Sequence, residues 1–317
     1  MKTWHIRTGG ADDLALVSSW TPQGNLGEDT PDDLWLVAEW RDTLADGATP
    51  AATLKLRRGV GMRQVRHWYH VGCVVHAAPE LQLFHRQSTL LMGNDYTGAT
   101  ELSDVACDAG HLTVAEQAFA WRLLLQAALL HLARDRDRAR ARPAGPLIAE
   151  LPGLRDPAGQ SPFWQGLGAH FYAEDPLQAQ RRFGVRWRSD VAALLPRHPV
   201  YASFLPPAAR AAIGQAAPEA RGWRDALVQA GLHYGQHVAL HDAGPVFEGH
   251  LNALPTLLAA RRRPVSRVAA VPERAGWWVL LDERSDAWRV ARATLAGEAL
   301  QVAGEAGERI AWAVPLG

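Results

Sequence analysis

His233, His237 and His241 recur every four residues, a spacing that on a helix would align three imidazoles as zinc ligands. Gly231, Gly235 and Gly244, together with Val238 and Leu240, argue instead for a strand. On a strand His237 and His241 stand ~13 Å apart and cannot share a metal. Cys73 and Cys107, the two cysteines, sit in apolar, strand-like contexts, so neither a disulfide framework nor a cysteine-rich zinc site can be built. Gly59-Val60-Gly61 has no helix after it and reads as a turn, and neither a Gly-x-Ser-x-Gly elbow nor a phosphate-binding Gly-x-x-x-x-Gly-Lys sequence is present. Thr113-Val114-Ala115-Glu116 is a capping box, in which the threonine and glutamate side chains satisfy each other's backbone amides at a helix start.

The elements that would position such residues follow from periodicity and punctuation. Thr3 to Ile6 reads as a short strand, and Asp12-Asp13 ahead of Leu14, Leu16 and Val17 as the acidic first turn of a helix. Thr30, Pro31 and Asp33 predict a capped helix through about Arg41, and Pro50 to Met62 a poorly patterned strand and loop. Val71 to His76 and Ser88 to Met92 are β-branched and apolar runs. With the turn Asn94-Asp95-Tyr96-Thr97-Gly98 they predict an antiparallel meander that continues through Glu101 to Cys107. Thr113 to Arg134 carries the clearest helical spacing and ends in alternating charges through Arg140, which read as a solvated helix end with internal ion pairs. Pro143 to Pro146 forces a break, Leu147-Ile148-Ala149 is a short buried strand, and Pro162 to Tyr172 a short helix with an aromatic face. Trp277 to Leu281, Trp288 to Val290 and Ile310 to Val314 are short strands of a small β subdomain from about Val265.

At 317 residues and 48% apolar, the chain is long enough for well-filled cores. Acidic and basic residues balance at 33 each, which leaves no long-range field for nucleic acid or an anionic membrane. Small-molecule or protein partners are expected, with neither nucleic acid nor membrane. The longest apolar run, Ala118 to Ala133, is interrupted by Arg122, Gln126 and His131, and the first residues lack an apolar signal core. A cytoplasmic location is the expectation.

Residues 67 to 102, HWYHVGCVVHAAPELQLFHRQSTLLMGNDYTGATEL, resemble the signature core of the arginine N-succinyltransferase family. Two later blocks carry the same likeness in the same order: Ser161 to Gly168, and Leu195 to Tyr201 followed by Ile213-Gly214-Gln215 and Asp242 to Pro245. The resemblance implies an α/β, acetyltransferase-like mixed sheet flanked by helices. Its expected organisation is two tandem acyltransferase-like units, 1–143 and 144–264, and the small β subdomain at 265–317. It implies transfer of a succinyl group from succinyl-CoA, a cosubstrate rather than a permanently bound cofactor, to the α-amino group of arginine.

Val105 lies where the family holds the pantetheine arm on a splayed strand. Thr113 and Glu116 occupy the helix start that should bind pyrophosphate, with Ala115-Glu116-Gln117 in place of a Gly-x-Gly turn. The family's proton-donor histidine, in Gly-Gln-x-His-Pro, is replaced here by Ala217, so no catalytic residue is intact at that position. Asn94, Asp95, Glu101, Asp242 and Glu248 are candidates for holding the acceptor, because carboxylates pair bidentately with a guanidinium. Each also has a structural reading, as turn former, loop cap or strand end. His67, His70, His76 and Arg63 would add positive potential to the cleft. Two functions remain open: a succinyltransferase acting on arginine, or a non-catalytic partner or regulatory subunit of an active paralogue, as a homo- or hetero-oligomer.

Overall fold

The computed structural model describes residues 2–20, 32–42, 47–137, 145–303 and 309–316. Strand β1 (Lys2–Thr8) leads through a tight turn into helix α1 (Leu14–Trp20). Asp13 accepts from the Gly10 N–H at 2.8 Å and from both terminal nitrogens of Arg7 at 2.7 Å, which fixes that entry. The helix expected through Arg41 is instead strand β2 (Leu34–Asp42), paired on one side with β1 and on the other with β3 (Thr49–Arg57); Thr30 and Pro31 lie outside the described residues. Leu36 and Ala38 are buried in the main core while Trp35 and Val37 are buried on the opposite face. Pairing on both edges and burial on both faces outweigh a local capping signal. The same two-sided burial explains why Pro50 to Arg57 lacks an alternating pattern: Lys55 and Arg57 are inside too.

Of the predicted meander only the hairpin of β4 (Trp68–Ala78) and β5 (Leu83–Gly93) is present; β6 (Thr100–Cys107), which leads to α2 (Val114–Asp137), pairs not with β5 but with β3 and β7, because the Asn94–Gly98 turn sends the chain across the sheet. Helix α2 is buried along most of its length against β3 and the later helices and barrel. Its charged end is solvated only in part: Arg136 and Asp137 are exposed and Asp135 pairs with His131 and Arg134 within the helix, while residues 138–140 lie outside the described residues. Arg134 is buried and bonded to Asp286, and Asp135 accepts from Arg58 at 2.5 Å.

Next come β7 (Leu147–Glu150), α3 (Pro162–Gly166), α4 (Pro176–Phe183), α5 (Trp187–Ala192), β8 (Val200–Tyr201), α6 (Pro207–Ala212) and α7 (Arg221–Gln229). Helix α3 stops short of Tyr172 because the backbone leaves the helical region at Leu167, with φ −133° and ψ −67°, and Gly168 then packs under the Trp164 ring, where an added Cβ would lie 2.2 Å from it. Strands β9 (His233–Ala239) and β10 (Pro245–Gly249) and helix α8 (Pro255–Ala259) complete the α/β body. The ten strands form one sheet in the order β1-β2-β3-β6-β7-β10-β9-β4-β5-β8. The segments 1–143 and 144–264 share it, with the β4–β5 hairpin lying beyond β9.

The small C-terminal β unit is a closed barrel of β11 (Arg261–Val268), β12 (Gly276–Asp282), β13 (Trp288–Ala296), β14 (Ala299–Ala303) and β15 (Arg309–Pro315). Among the described residues no helix is long and apolar enough to cross a membrane.

Candidate active site

Strands β6 and β7 are parallel neighbours that pair only at Thr100 with Leu147 and at Glu101 with Ile148. Past Glu101 they part, while β6 continues along β3 to Cys107. A register shift in the β3–β6 ladder puts Asp104 in the left-handed region at φ 48°. That backbone is held from below, since Thr53 Oγ1 donates to the Asp104 carbonyl at 2.9 Å and Arg57 Nη2 to its carboxylate at 3.2 Å. Bulges of this kind re-aim a strand beside a site. Val105, half-buried, follows the bulge on the diverging stretch.

At the start of α2 the Thr113 N–H and Oγ1 both donate to Glu116 Oε2 at 2.9 Å, and the Glu116 N–H donates to Thr113 Oγ1 at 3.3 Å. A carboxylate thus sits at the end of the helix where an anion would bind. Ala217 is buried, and its N–H donates at 2.8 Å to the carbonyl of Pro152, in the segment that leaves β7.

The sheet face opposite α2 carries a continuous polar network. Glu101 accepts from Arg66 Nη1 at 2.6 Å, and Arg66 Nη2 reaches Glu150 at 2.8 Å. Glu150 also accepts from Arg188 at 3.2 Å and from the Trp68 indole at 3.1 Å. The Trp68 ring meets Tyr96 edge-on at 5.2 Å. Tyr96 donates its hydroxyl proton to Glu248 Oε2 at 2.8 Å, and its oxygen lies 3.0 Å from His237 Nδ1. His237 Nε2 is 3.3 Å from Asp95 Oδ2. A bulge between Val246 and Phe247 and a left-handed Gln236 turn His237 into this position. Only glycine fits at 235, where a Cβ would come 2.6 Å from the Tyr96 hydroxyl and from the Glu248 carboxyl carbon.

Asp95 and Glu248 are therefore together, and Glu101 is linked to them through Arg66, Glu150 and Trp68. Asp242 is at the buried end, with its two oxygens accepting from the Gly153 and Gly244 amides at 2.8 and 2.9 Å as a clasp between loops. The Asn94 carbonyl closes the Asn94–Gly98 turn by accepting from Thr97. His233 and His237 stand on β9 and His241 beyond its end, so the three do not converge as ligands. His70 lies 5.0 Å from the His237 ring, His76 is out on the hairpin beside Tyr201, and Arg63 is exposed. Arg66, Tyr96, Glu150 and Arg188 escape a sequence reading because no local spacing connects them.

Burial alone would raise the Glu150 carboxyl, but Arg188 and then Arg66 outweigh it and hold it at about 2 against an ordinary 4.5. Its contribution to stability is full above the ordinary value and is lost as the pH falls towards 2. Between about pH 5 and pH 2 urea unfolding should show a loss about 3 kcal/mol smaller in Glu150→Gln than in the wild type, whose Asp13, Asp135 and Asp282 are also held low; identical profiles would place Glu150 in solvent. Burial, then the bond to Glu248, raises the Tyr96 phenol far above its usual range, so it remains protonated.

Sequence comparison matches residues 43–256 to the family described as arginine N-succinyltransferase beta subunit. The chain belongs to the arginine N-succinyltransferase family. The matched stretch contains the β6–β7 gap and the polar face, and leaves the barrel outside it. Among relatives in this family, the arginine N-succinyltransferase of Enterobacter sp. (strain 638) is 29% identical over 251 residues, 77% of this chain and 69% of the relative. That of Shigella boydii serotype 18 is 30% identical over 223 residues, 68% of this chain and 61% of the relative. In fold, the chain is similar over 100% of both lengths to arginine/ornithine succinyltransferase subunit AI from Pseudomonas aeruginosa, with a TM-score of 0.79 at 18% identity.

Proposed function

We propose that the chain is a succinyl-CoA-dependent N-acyltransferase acting on the α-amino group of arginine, with a weakened hold on the coenzyme. The observation that carries this reading is the acidic face beside the β6–β7 gap. Unpaired strand backbone suits a pantetheine arm, which is recognised as an added strand. Glu150 is in register with Val246 and Val246 with His237. Two strand spacings, about 10 Å, therefore separate the mouth of the gap from the Asp95, His237 and Glu248 cluster. An extended arginine bridges that span, its guanidinium against Asp95 and Glu248 and its α-amine at the gap.

The transfer forms a bond from the amine nitrogen to the succinyl carbonyl carbon and breaks the bond from that carbon to sulfur. One proton moves from the amine to the departing thiolate. With alanine at 217, solvent carries that proton at the gap, while Tyr96, held between Glu248 and His237, stands at the guanidinium end and orients Glu248.

A second reading, a non-catalytic partner or regulatory subunit of an active paralogue, is favoured by the Glu116 carboxylate at the helix start and the methyl group of Ala217. Calorimetry separates the two. L-arginine should bind the wild-type chain, and Asp95→Asn with Glu248→Gln should weaken it at least about tenfold through loss of charge-assisted bonds. Succinyl-CoA should bind weaker than low micromolar. Arginine binding unchanged by those substitutions would refute the acceptor site, and arginine binding without any thiol release would favour the partner reading.

A further inference from the structure

Among the described residues the far part of the β4–β5 hairpin stands clear of the rest of the sheet. β9 pairs with β4 only from Trp68 to His70, and β8 pairs with β5 only at Thr89 and Leu90. Beyond those contacts the two strands run on together in unbroken register, with neither a bulge nor a proline inside them. Leu83, Phe84, His85 and Arg86 are consecutive and all exposed, so β5 is open there on both faces as well as along its outer edge. Leu81 in the hairpin turn, Phe84, and Phe204 in the short turn after β8 are 76%, 70% and 82% exposed. A two-stranded hairpin by itself is marginal in water. Proteins guard open edges with charges, prolines or bulges, and from Leu83 to Gln87 this edge carries a single charge, Arg86.

A second copy of the chain brings the same open edge, and symmetry restricts how two such edges can meet. In an antiparallel pair of identical strands about a two-fold axis, side chains that face each other lie on one side of the sheet, so a residue meets itself or one an even number of places away. The open edge spans Leu83 to Gln87. Gln82 before it is left-handed at φ 53°, and Ser203 Oγ, donating to Gln87 Oε1 at 3.4 Å, brings the turn 202–204 to its other end. An axis at His85 pairs all five residues from 83 to 87, setting Phe84 of each copy against Arg86 of the other and Leu83 against Gln87. An axis at Arg86 runs into the turn 202–204 and opposes two guanidinium groups; one at Phe84 pairs only three strand residues. Length and charge therefore select the register centred on His85. A guanidinium beside an aromatic ring is attractive, and here the contact occurs twice by symmetry. The same docking carries Leu81 of one copy towards Phe204 of the other.

We propose that the chain forms a two-fold dimer through its β5 edges, antiparallel and centred on His85, so that one sheet runs through both copies. The occupant of the edge is a second copy of this chain. The interface does not depend on the transfer reading above.

Sedimentation of the intact chain over about a hundredfold range of concentration should show a monomer–dimer equilibrium. Phe84→Arg sets like charges against Arg86 twice per dimer and should raise the dissociation constant at least about tenfold. Adding Arg86→Glu to it makes each pair opposite in sign and should restore the dimer. A short bis-maleimide reads the register in a Cys73→Ser, Cys107→Ser background. His85→Cys lies on the axis, ~5 Å from its copy, and should cross-link. Leu83→Cys is four places from its copy's position, ~14 Å along the strand, and should not. A chain that stays monomeric throughout would overturn the interface. So would a dimer indifferent to Phe84→Arg, a paired change that fails to restore it, or cross-linking as strong at 83 as at 85.

Discussion

Thiol release from succinyl-CoA with saturating arginine is expected to be slow in the wild-type chain, by about a hundredfold to ten-thousandfold relative to members that keep the histidine, the usual effect of missing acid/base assistance. The coenzyme side adds to this. A carboxylate ~4 Å from a phosphate costs about 1 to 4 kcal/mol in water-like to surface-like dielectric, a loss of affinity of about tenfold to thousandfold. Ala217→His alone should not restore the rate, because position 217 is buried against Pro152 and the coenzyme remains poorly held. Combined with Glu116→Gly and Gln117→Gly, which open the helix start, it should recover more than the product of the separate gains, since groups that act as a unit are not additive. Tyr96→Phe should weaken arginine binding, since it removes the bond that orients Glu248. A thiol-trapping assay that finds fast wild-type turnover, insensitive to Glu116 substitutions, would show that other groups carry the chemistry.

Arg66→Ala should destabilise the fold by about 3 to 5 kcal/mol, the range for removing one member of a buried ionic network. Among the described residues Arg66 is the one cation joined to both Glu101 and Glu150, and its guanidinium lies over the Trp68 ring at 5.0 Å from the centroid. Without it two carboxylates lie close together in a buried setting, and Arg188 is bonded to only one of them. Replacing both glutamates by glutamine in the Arg66→Ala background should return much of the loss, because it removes the charges left uncompensated. Urea unfolding with an unchanged slope measures both effects. A loss under about 1 kcal/mol would mean that water reaches the network and screens it.

The capping box, the β4–β5 hairpin, the long α2 helix, the Asn94–Gly98 turn and the strands of the small C-terminal β unit are legible from the chain because each depends on residues close to one another in sequence, whereas the continuation of the hairpin into β6 was not, since β6 pairs with β3 and β7 instead of β5. Hydrogen bonds between Thr113 and Glu116 are three residues apart, and the α2 pattern repeats every turn. The family blocks were legible for the same reason, being contiguous motifs in a set order. The β2 strand was not, since Thr30, Pro31 and Asp33 signal a helix locally and only pairing on both edges with β1 and β3 makes 34–42 a strand. Nor was the burial of Arg134, which depends on the barrel supplying Asp286 152 residues later.

Local chemistry on the acidic candidates divides the same way. The sequence by itself marks Asp95, Glu101, Asp242 and Glu248 as carboxylates on turns and strand ends, and marks Ala217 as a position without a proton to give. Only the tertiary structure sorts them: sheet register sets His237 two strands from Glu150, a bulge and Gly235 open the space for Tyr96 and Glu248, and two backbone amides claim Asp242. The cation that joins Glu101 to Glu150 comes from a loop 35 residues away from one and 84 from the other. The physical reason is range. Capping and periodicity act through the covalent chain within a turn or two, whereas the charge, burial and hydrogen bonding of a site depend on which strands the closing of the whole sheet makes neighbours.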